Sequence, residues 1–207
     1  MRRFRERLSY EYNMFIRSAL AGICIGLGGS MFIKLGGIVG AIMFAFGLLT
    51  VVCFKLPLYT GQAGFFDYKK ILAWTDLVII WLGNVFGCWL LSLLALKGID
   101  ATPIIEARIS DTLIGCLLSA IGCGFIMTMV VAAARGDKIN YLLILMGIPT
   151  FIILGFYHSI ADAFYIFEAD NSLVESFAIP YLTILVGNFI GCNIPRLFSY
   201  DTIVIWK

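Results

Sequence analysis

The seven residues Leu82-Gly83-Asn84-Val85-Phe86-Gly87-Cys88 return almost residue for residue as Val186-Gly187-Asn188-Phe189-Ile190-Gly191-Cys192. Each copy lies in an apolar segment long enough to cross a bilayer, and each closes a run of three such segments. A unit with an odd number of spans leaves its successor upside down in the membrane. The two copies are therefore expected to be related by an axis in the membrane plane. This predicts an all-α membrane protein of six transmembrane helices, built as two inverted three-helix repeats over about residues 14–96 and 112–195.

Composition agrees and narrows the choice. Hydrophobic residues are 61%, charged residues 14% and the mean hydropathy is +0.96, outside the range of ordinary soluble domains. A chain of 207 residues holds six spans of roughly 20 residues and short loops. A single transmembrane domain, 1–207, is expected, with its function inside the membrane. Cys24, Cys53, Cys88, Cys116, Cys123 and Cys192 sit in or beside apolar segments with no CxxC pair and no histidine at ligand spacing, so they read as small core residues. Neither metal, cofactor nor nucleic acid is expected as a partner; the lipid bilayer is. The basic, polar Met1–Tyr12 stretch does not resemble a cleavable leader, and the first span reads as retained.

Along the chain, span one runs from Phe15 to about Ile33, with a small-residue face at Gly22, Gly26, Gly28 and Gly29 suited to close helix packing. Span two, Gly36 to Phe54, ends in Lys55-Leu56-Pro57-Leu58-Tyr59-Thr60-Gly61, which either terminates the helix or interrupts it within the membrane. Span three covers about Ile71 to Leu96, and a polar connection with Lys97 and Arg108 follows. Span four runs from about Thr112 to Ala134, and Arg135, Asp137 and Lys138 mark a turn. Span five holds His158, and span six runs from about Phe177 to Ile194. With the N-terminus inside, Arg2, Arg3, Arg5, Arg7, Lys69, Lys70, Arg135, Lys138, Arg196 and Lys207 lie on the inner side. Lys34, Lys97 and Arg108 lie outside, and Arg17 and Lys55 fall at or within spans. That asymmetry predicts cytoplasmic termini in a cytoplasmic membrane.

The chemistry concentrates in span five. His158 is the only histidine, and from Tyr141 to Phe167 it and Asp162 are the sole ionisable side chains besides tyrosines. Polar groups at that depth mark a substrate or ion path or a buried link between helices. Asp162 is either ionised beside a cavity or protonated in the core. Lys55 either snorkels to the interface or lines the path. Spans two and five occupy corresponding places in the two repeats, and corresponding broken segments point to a transporter's central site. This favours the interrupted reading at both.

These residues resemble the formate/nitrite transporter family. Gly155, Phe156, His158, Ser159, Ala161 and Phe164 fit its fifth-span signature, and Leu58-Tyr59-Thr60-Gly61 its second-span loop. Leu82–Gly87 and Val186–Gly191 fit the Gly-Asn pattern of its third and sixth spans, marking Gly83, Asn84, Gly187 and Asn188 as the structural repeat. Ala21, Gly22 and Gly26, with Arg17, fit its first span. The resemblance implies helices two and five interrupted, in an aquaporin-like architecture, and a homopentamer. It also implies a pore for small inorganic or organic monovalent anions. On that pore His158 and Thr60 form a central polar station, Tyr59 lies beside it, and Phe44, Leu48 and Phe151 make apolar constrictions. Arg108 then gathers anions; Lys55, which has no basic counterpart in the family, and Asp162 are path candidates on their own chemistry. The family's acidic residue before the histidine is Tyr157 here, its asparagine four beyond is Asp162, Pro57 takes an acidic position, and Gly124 stands for an asparagine near the centre.

A bare anion in an apolar constriction costs several kcal/mol more than its neutral acid, so a proton is expected to travel with it, shared or relayed by His158. Two other functions compete. An aquaporin-type channel for neutral solutes shares the repeat, but neither interruption carries Asn-Pro-Ala. An intramembrane hydrolase would use His158, Ser159 and Asp162, yet adjacent residues on a helix point about 100° apart.

Overall fold

The computed structural model describes residues 2–135 and 139–198; Asp137, Lys138 and Lys207 of the charge asymmetry lie outside the described residues. The helices are α1 (Arg2–Leu35), α2 (Gly37–Cys53), α3 (Tyr59–Ala63), α4 (Ile71–Ser92), α5 (Thr102–Ser110), α6 (Leu113–Arg135), α7 (Tyr141–Ile153), α8 (Ser159–Phe167) and α9 (Val174–Phe198). Among the described residues, four helices are long and apolar enough to cross a membrane, over Arg5–Leu35, Ile71–Ser92, Leu113–Arg135 and Asn171–Leu197. The apolar helices α2 and α7 are shorter. Each is followed by a break, 54–58 or 154–158, and a short helix, α3 or α8. The second and fifth spans are thus interrupted, as expected.

Two boundaries differ from the expectation. With 34 residues α1 is about 51 Å long against a hydrocarbon core of about 30 Å, because the helix continues through the basic turns that hydropathy excludes. The connection after span three is not simply polar coil: Asp100 Oδ1 accepts from the Thr102 amide at 2.9 Å, Pro103 occupies the first turn, and α5 follows.

The ion pair of Arg7 with Asp76 joins the starts of α1 and α4. On the same face Arg135, ending α6, donates to Gly61 O, and Arg196 in α9 donates to Phe66 O. This is the terminal face. The far face carries α5, the end of α8 and the turn after α1, where Lys34 donates to Lys97 O and the Ala101 amide to Glu168 O.

Both interrupted helices stop in the same way. At the end of α2 the Leu56 amide reaches Val51 O at 2.9 Å and the Lys55 amide reaches Val52 O at 3.1 Å. At the end of α7 Phe156 bonds Phe151 O and Gly155 bonds Ile152 O, at 2.9 and 3.0 Å. These are Schellman closures around one left-handed residue, Lys55 at φ 50° and Gly155 at φ 71°. Glycine adopts that conformation freely, whereas lysine is strained in it. The chain then runs extended through Leu58 and His158, which occupy equivalent N-cap positions before α3 and α8.

The long spans pack in equivalent pairs, α1 on α4 and α6 on α9, with backbones in contact. A Cβ on Gly87 would lie 1.9 Å from Ala19 O, and one on Gly191 would lie 2.1 Å from Ile121 O. Lipid gives apolar helices no hydrophobic reason to associate, so such close approach supplies the packing and interhelical contacts that hold them. Gly124 lies in this second seam, where a Cβ would be 2.3 Å from Asn188 O. At this position, where the family resemblance puts an asparagine, glycine serves close packing against α9.

Candidate functional site

The two repeat asparagines build the site. Asn84 is fully buried; its Oδ1 accepts from the Tyr59 amide at 2.8 Å, and its Nδ2 donates to Pro57 O at 3.0 Å and Ser18 O at 2.8 Å. Asn188 is likewise buried. It accepts from the Ser159 amide at 2.8 Å and donates to Tyr157 O at 2.9 Å and Ala120 O at 2.8 Å. A break inside a bilayer strands backbone groups that water cannot reach. Each asparagine satisfies one amide and one carbonyl of its break and ties both to a third span.

Between the breaks, Thr60 Oγ1 and His158 Nε2 meet at 3.0 Å, both buried. His158 Nδ1 accepts from the Ala161 amide at 3.2 Å. In the neutral ring the proton is therefore on Nε2, which donates to Thr60, and the threonine hydroxyl keeps its own hydrogen for a guest. Phe151 stacks on the imidazole at 5.7 Å, and Phe44 meets Phe151 edge-on at 6.0 Å. Phe44, Leu48 and Phe151 are all buried. Tyr59 sends its hydroxyl to Leu185 O at 3.2 Å, so its side chain anchors α3 to α9.

Cavities open on either side of this centre. One of about 540 Å³ is lined by Leu48, Lys55, Leu58, Gly61, Gln62 and Arg135 among others, toward the terminal face. Lys55 thus joins Leu48 on one wall. Arg135 donates to Gln62 Oε1 at 2.9 Å and lies over the Phe65 ring at 3.9 Å. The far-face cavity, about 40 Å³, is lined by Phe151, His158, Arg108 and Asp162 together with Phe32, Ile152, Gly155, Phe156, Ala161 and Tyr165.

Arg108 and Asp162 form an ion pair there, Nε to Oδ1 3.4 Å, with side chains 16% and 1% exposed. Neither carboxyl oxygen of Asp162 nor Arg108 Nε has a hydrogen-bond partner. The guanidinium sits 3.9 Å over the Tyr157 ring, whose hydroxyl donates to Asp111 Oδ2 at 2.9 Å. The pair carries no net charge. Of the alternatives for Asp162, the structure supplies one detail neither contained, a fixed arginine from α5.

The structure thus groups Thr60, His158, Phe151 and Phe44 at the centre, Leu48 and Lys55 at one cavity, and Arg108 and Asp162 at the other. Sequence reasoning missed Asp111, Gln62 and the cavity role of Arg135, which are read only from contacts between distant segments. Among the described residues no three His, Cys, Asp or Glu side chains gather as a metal site would require.

Comparison with known proteins adds the lineage. Residues 6–200 match the family model described as formate/nitrite transporter. No curated protein matches the sequence. Among solved structures, a pentameric formate channel with formate bound superimposes with a TM-score of 0.80, over 93% of this chain and 96% of its own, at 16% identity. An FNT family ion channel superimposes with a TM-score of 0.83, over 95% and 92%, at 19% identity. At these identities the likeness is one of fold. Because the family model covers nearly the whole sequence, the chain belongs to the formate/nitrite transporter family.

Proposed function

We propose that the chain is a channel or proton-coupled transporter for small monovalent anions and their weak acids, of the formate, nitrite or hydrosulfide class, and not an enzyme. The observation that carries this is the buried Thr60–His158 pair, 3.0 Å apart, set between two half-helices and beside the Phe44–Phe151 rings. A dry, narrow path taxes a bare charge heavily and its conjugate acid little. One hydroxyl and one imidazole N–H are the minimum that would hold such a guest in passage. The imidazole has its acceptor nitrogen committed to the Ala161 amide. His158 then serves first as a donor acting through Thr60, and a proton taken up by the ring would have to break that bond.

Several further features belong to this reading. The solved relative is pentameric, and we assign the same assembly here. The distribution of Lys and Arg puts the termini, and hence the terminal face, in the cytoplasm of a cell whose cytoplasmic membrane holds the chain as one transmembrane domain. Lys55 and Arg135 give the inner cavity its positive lining.

Stopped-flow light scattering on proteoliposomes tests the function, with sodium formate, nitrite, hydrosulfide and acetate compared with glycerol. The expected result is fast swelling with one or more anions, quicker at acid pH and reduced at least about tenfold in His158→Asn or Thr60→Val, the scale of one lost polar contact in a dry site. Swelling with glycerol alone would overturn the anion reading in favour of a neutral-solute pore.

A further inference from the structure

The Arg108–Asp162 pair is not needed to hold the fold at its far face. Other contacts already join α5 to α8 and its end, such as the Ala101 amide on Glu168 O and Thr102 Oγ1 under the Asp170 amide. The carboxyl meanwhile has both oxygens buried, with only the long 3.4 Å approach of Arg108 Nε to one of them, and it lines the cavity that includes His158. Both residues of the pair line a cavity of about 40 Å³, and their buried polar atoms keep hydrogen-bonding capacity that a small guest entering there can use.

Charge counting says what must accompany the guest. Empty, the mouth holds one guanidinium and one carboxylate. The other titratable groups facing Asp162 are His158 from the break, Tyr165 on α8, Cys116 and Cys123 on α6, and Tyr181 on α9, while Tyr157 lies against Arg108. Lys34 on α1 is turned to Lys97 O. Asp111, in the turn after α5, is half-exposed and bonded to the Tyr157 hydroxyl. None supplies a second positive charge. An arriving anion therefore places two negative charges beside a single guanidinium in a nearly dry space, and two acids so placed hold one proton between them.

We propose that Asp162 couples anion entry to a proton: by neutralising Arg108 in advance, it admits a monovalent anion only together with one proton from the water on that face. The step balances. The anion A⁻ and H⁺ join the Arg108⁺·Asp162⁻ pair, the proton resides on Asp162 while A⁻ faces Arg108, and transfer from the Asp162 carboxyl to A⁻ forms HA. The pair is then restored and HA moves on to Thr60. With asparagine at 162 the guanidinium alone would attract and hold the anion, and no proton would be required. This rests on the anion and weak-acid reading above.

The test is formate uptake into proteoliposomes carrying an internal pH dye, with proton and formate counted together. Wild type is expected to take up one proton per formate, with a rate rising at least about tenfold for a two-unit drop in external pH, since proton activity rises a hundredfold. Asp162→Glu should keep both properties. Asp162→Asn should lose the acid stimulation, leaving formate entry without proton entry or a tightly held formate with little flux. Should that variant not fold, Asp162→Asn with Arg108→Gln removes both charges, and it should pass formate with no acid stimulation or not at all. Acid stimulation and a one-to-one ratio in any charge-removing variant would overturn the coupling role while leaving the pore reading intact. Wild type that passes no anion would overturn the pore reading itself.

Discussion

Removing one scaffold asparagine is the most direct probe of how the breaks are held. Asn188→Ala deletes three hydrogen bonds, to the Ser159 amide, Tyr157 O and Ala120 O, and strands the first two in a site that is fully buried. Interhelical bonds in membranes average about 0.6 and reach about 1.7 kcal/mol, so three of them are worth about 2–5 kcal/mol. Total stabilities are only about 5–15 kcal/mol, so the loss is a large fraction. Asn84→Ala breaks the matching set to the Tyr59 amide, Pro57 O and Ser18 O and should cost the same within about 1 kcal/mol. Equilibrium unfolding in mixed micelles of mild and denaturing detergent gives both values on one scale. A cost near one bond's worth in either variant, about 0.6 kcal/mol, would refute the claim that these side chains hold the breaks closed. A large inequality would refute their equivalence.

Other perturbations read separate features. Lys55→Gly relieves a left-handed lysine and should stabilise the protein by about 1 kcal/mol, while Lys55→Ala should not; thermal unfolding of the two tells strain from charge. If Lys55 lines the anion path, Lys55→Ala should slow formate flux, and unchanged flux removes it from the path. Gly87→Ala forces a methyl to 1.9 Å from the Ala19 carbonyl and should part α1 from α4, seen as loss of monodisperse protein on gel filtration. Phe151→Ala removes the ring shared by Phe44 and His158 and should raise glycerol swelling above that of the parent protein in the same assay.

The features that sequence revealed are those written locally. The two Gly-Asn heptapeptides announced the inverted repeat because each copy carries its own helix contact, Gly87 on Ala19 and Gly191 on Ile121, within a few residues. Pro57 and Gly61 announced the second-span break, whereas Gly155, read only as part of the fifth-span signature, shows its left-handed turn in the structure. The role of Lys55 within that break stayed open, since lysine at a helix end reads equally well as a snorkelling side chain; the structure adds its left-handed φ of 50°. The start of α1 was hidden because hydropathy tracks lipid contact and not helicity. Arg108 and Asp162 lie in different segments, so their pairing depends on how α5 folds over α8. That packing also adds to the alternatives open for Asp162 a partner, Arg108, that neither contained. The close packing of Gly124 on α9 was illegible for a related reason: one helix face looks much like another until its neighbour is known.

The two asparagines stand on the long spans, whereas the residues that meet a guest stand on the breaks they grip. Their bonds go to main-chain amides and carbonyls, which every amino acid offers except for the amide that proline lacks. Side chains at 57, 58, 157, 158 and 162 can accordingly be exchanged by mutation while the grip stays unchanged. Proline, tyrosine and aspartate occupy 57, 157 and 162 here without disturbing it. A frame held through its main chain constrains few side chains, and this chain keeps the backbone of two solved structures at 16% and 19% identity.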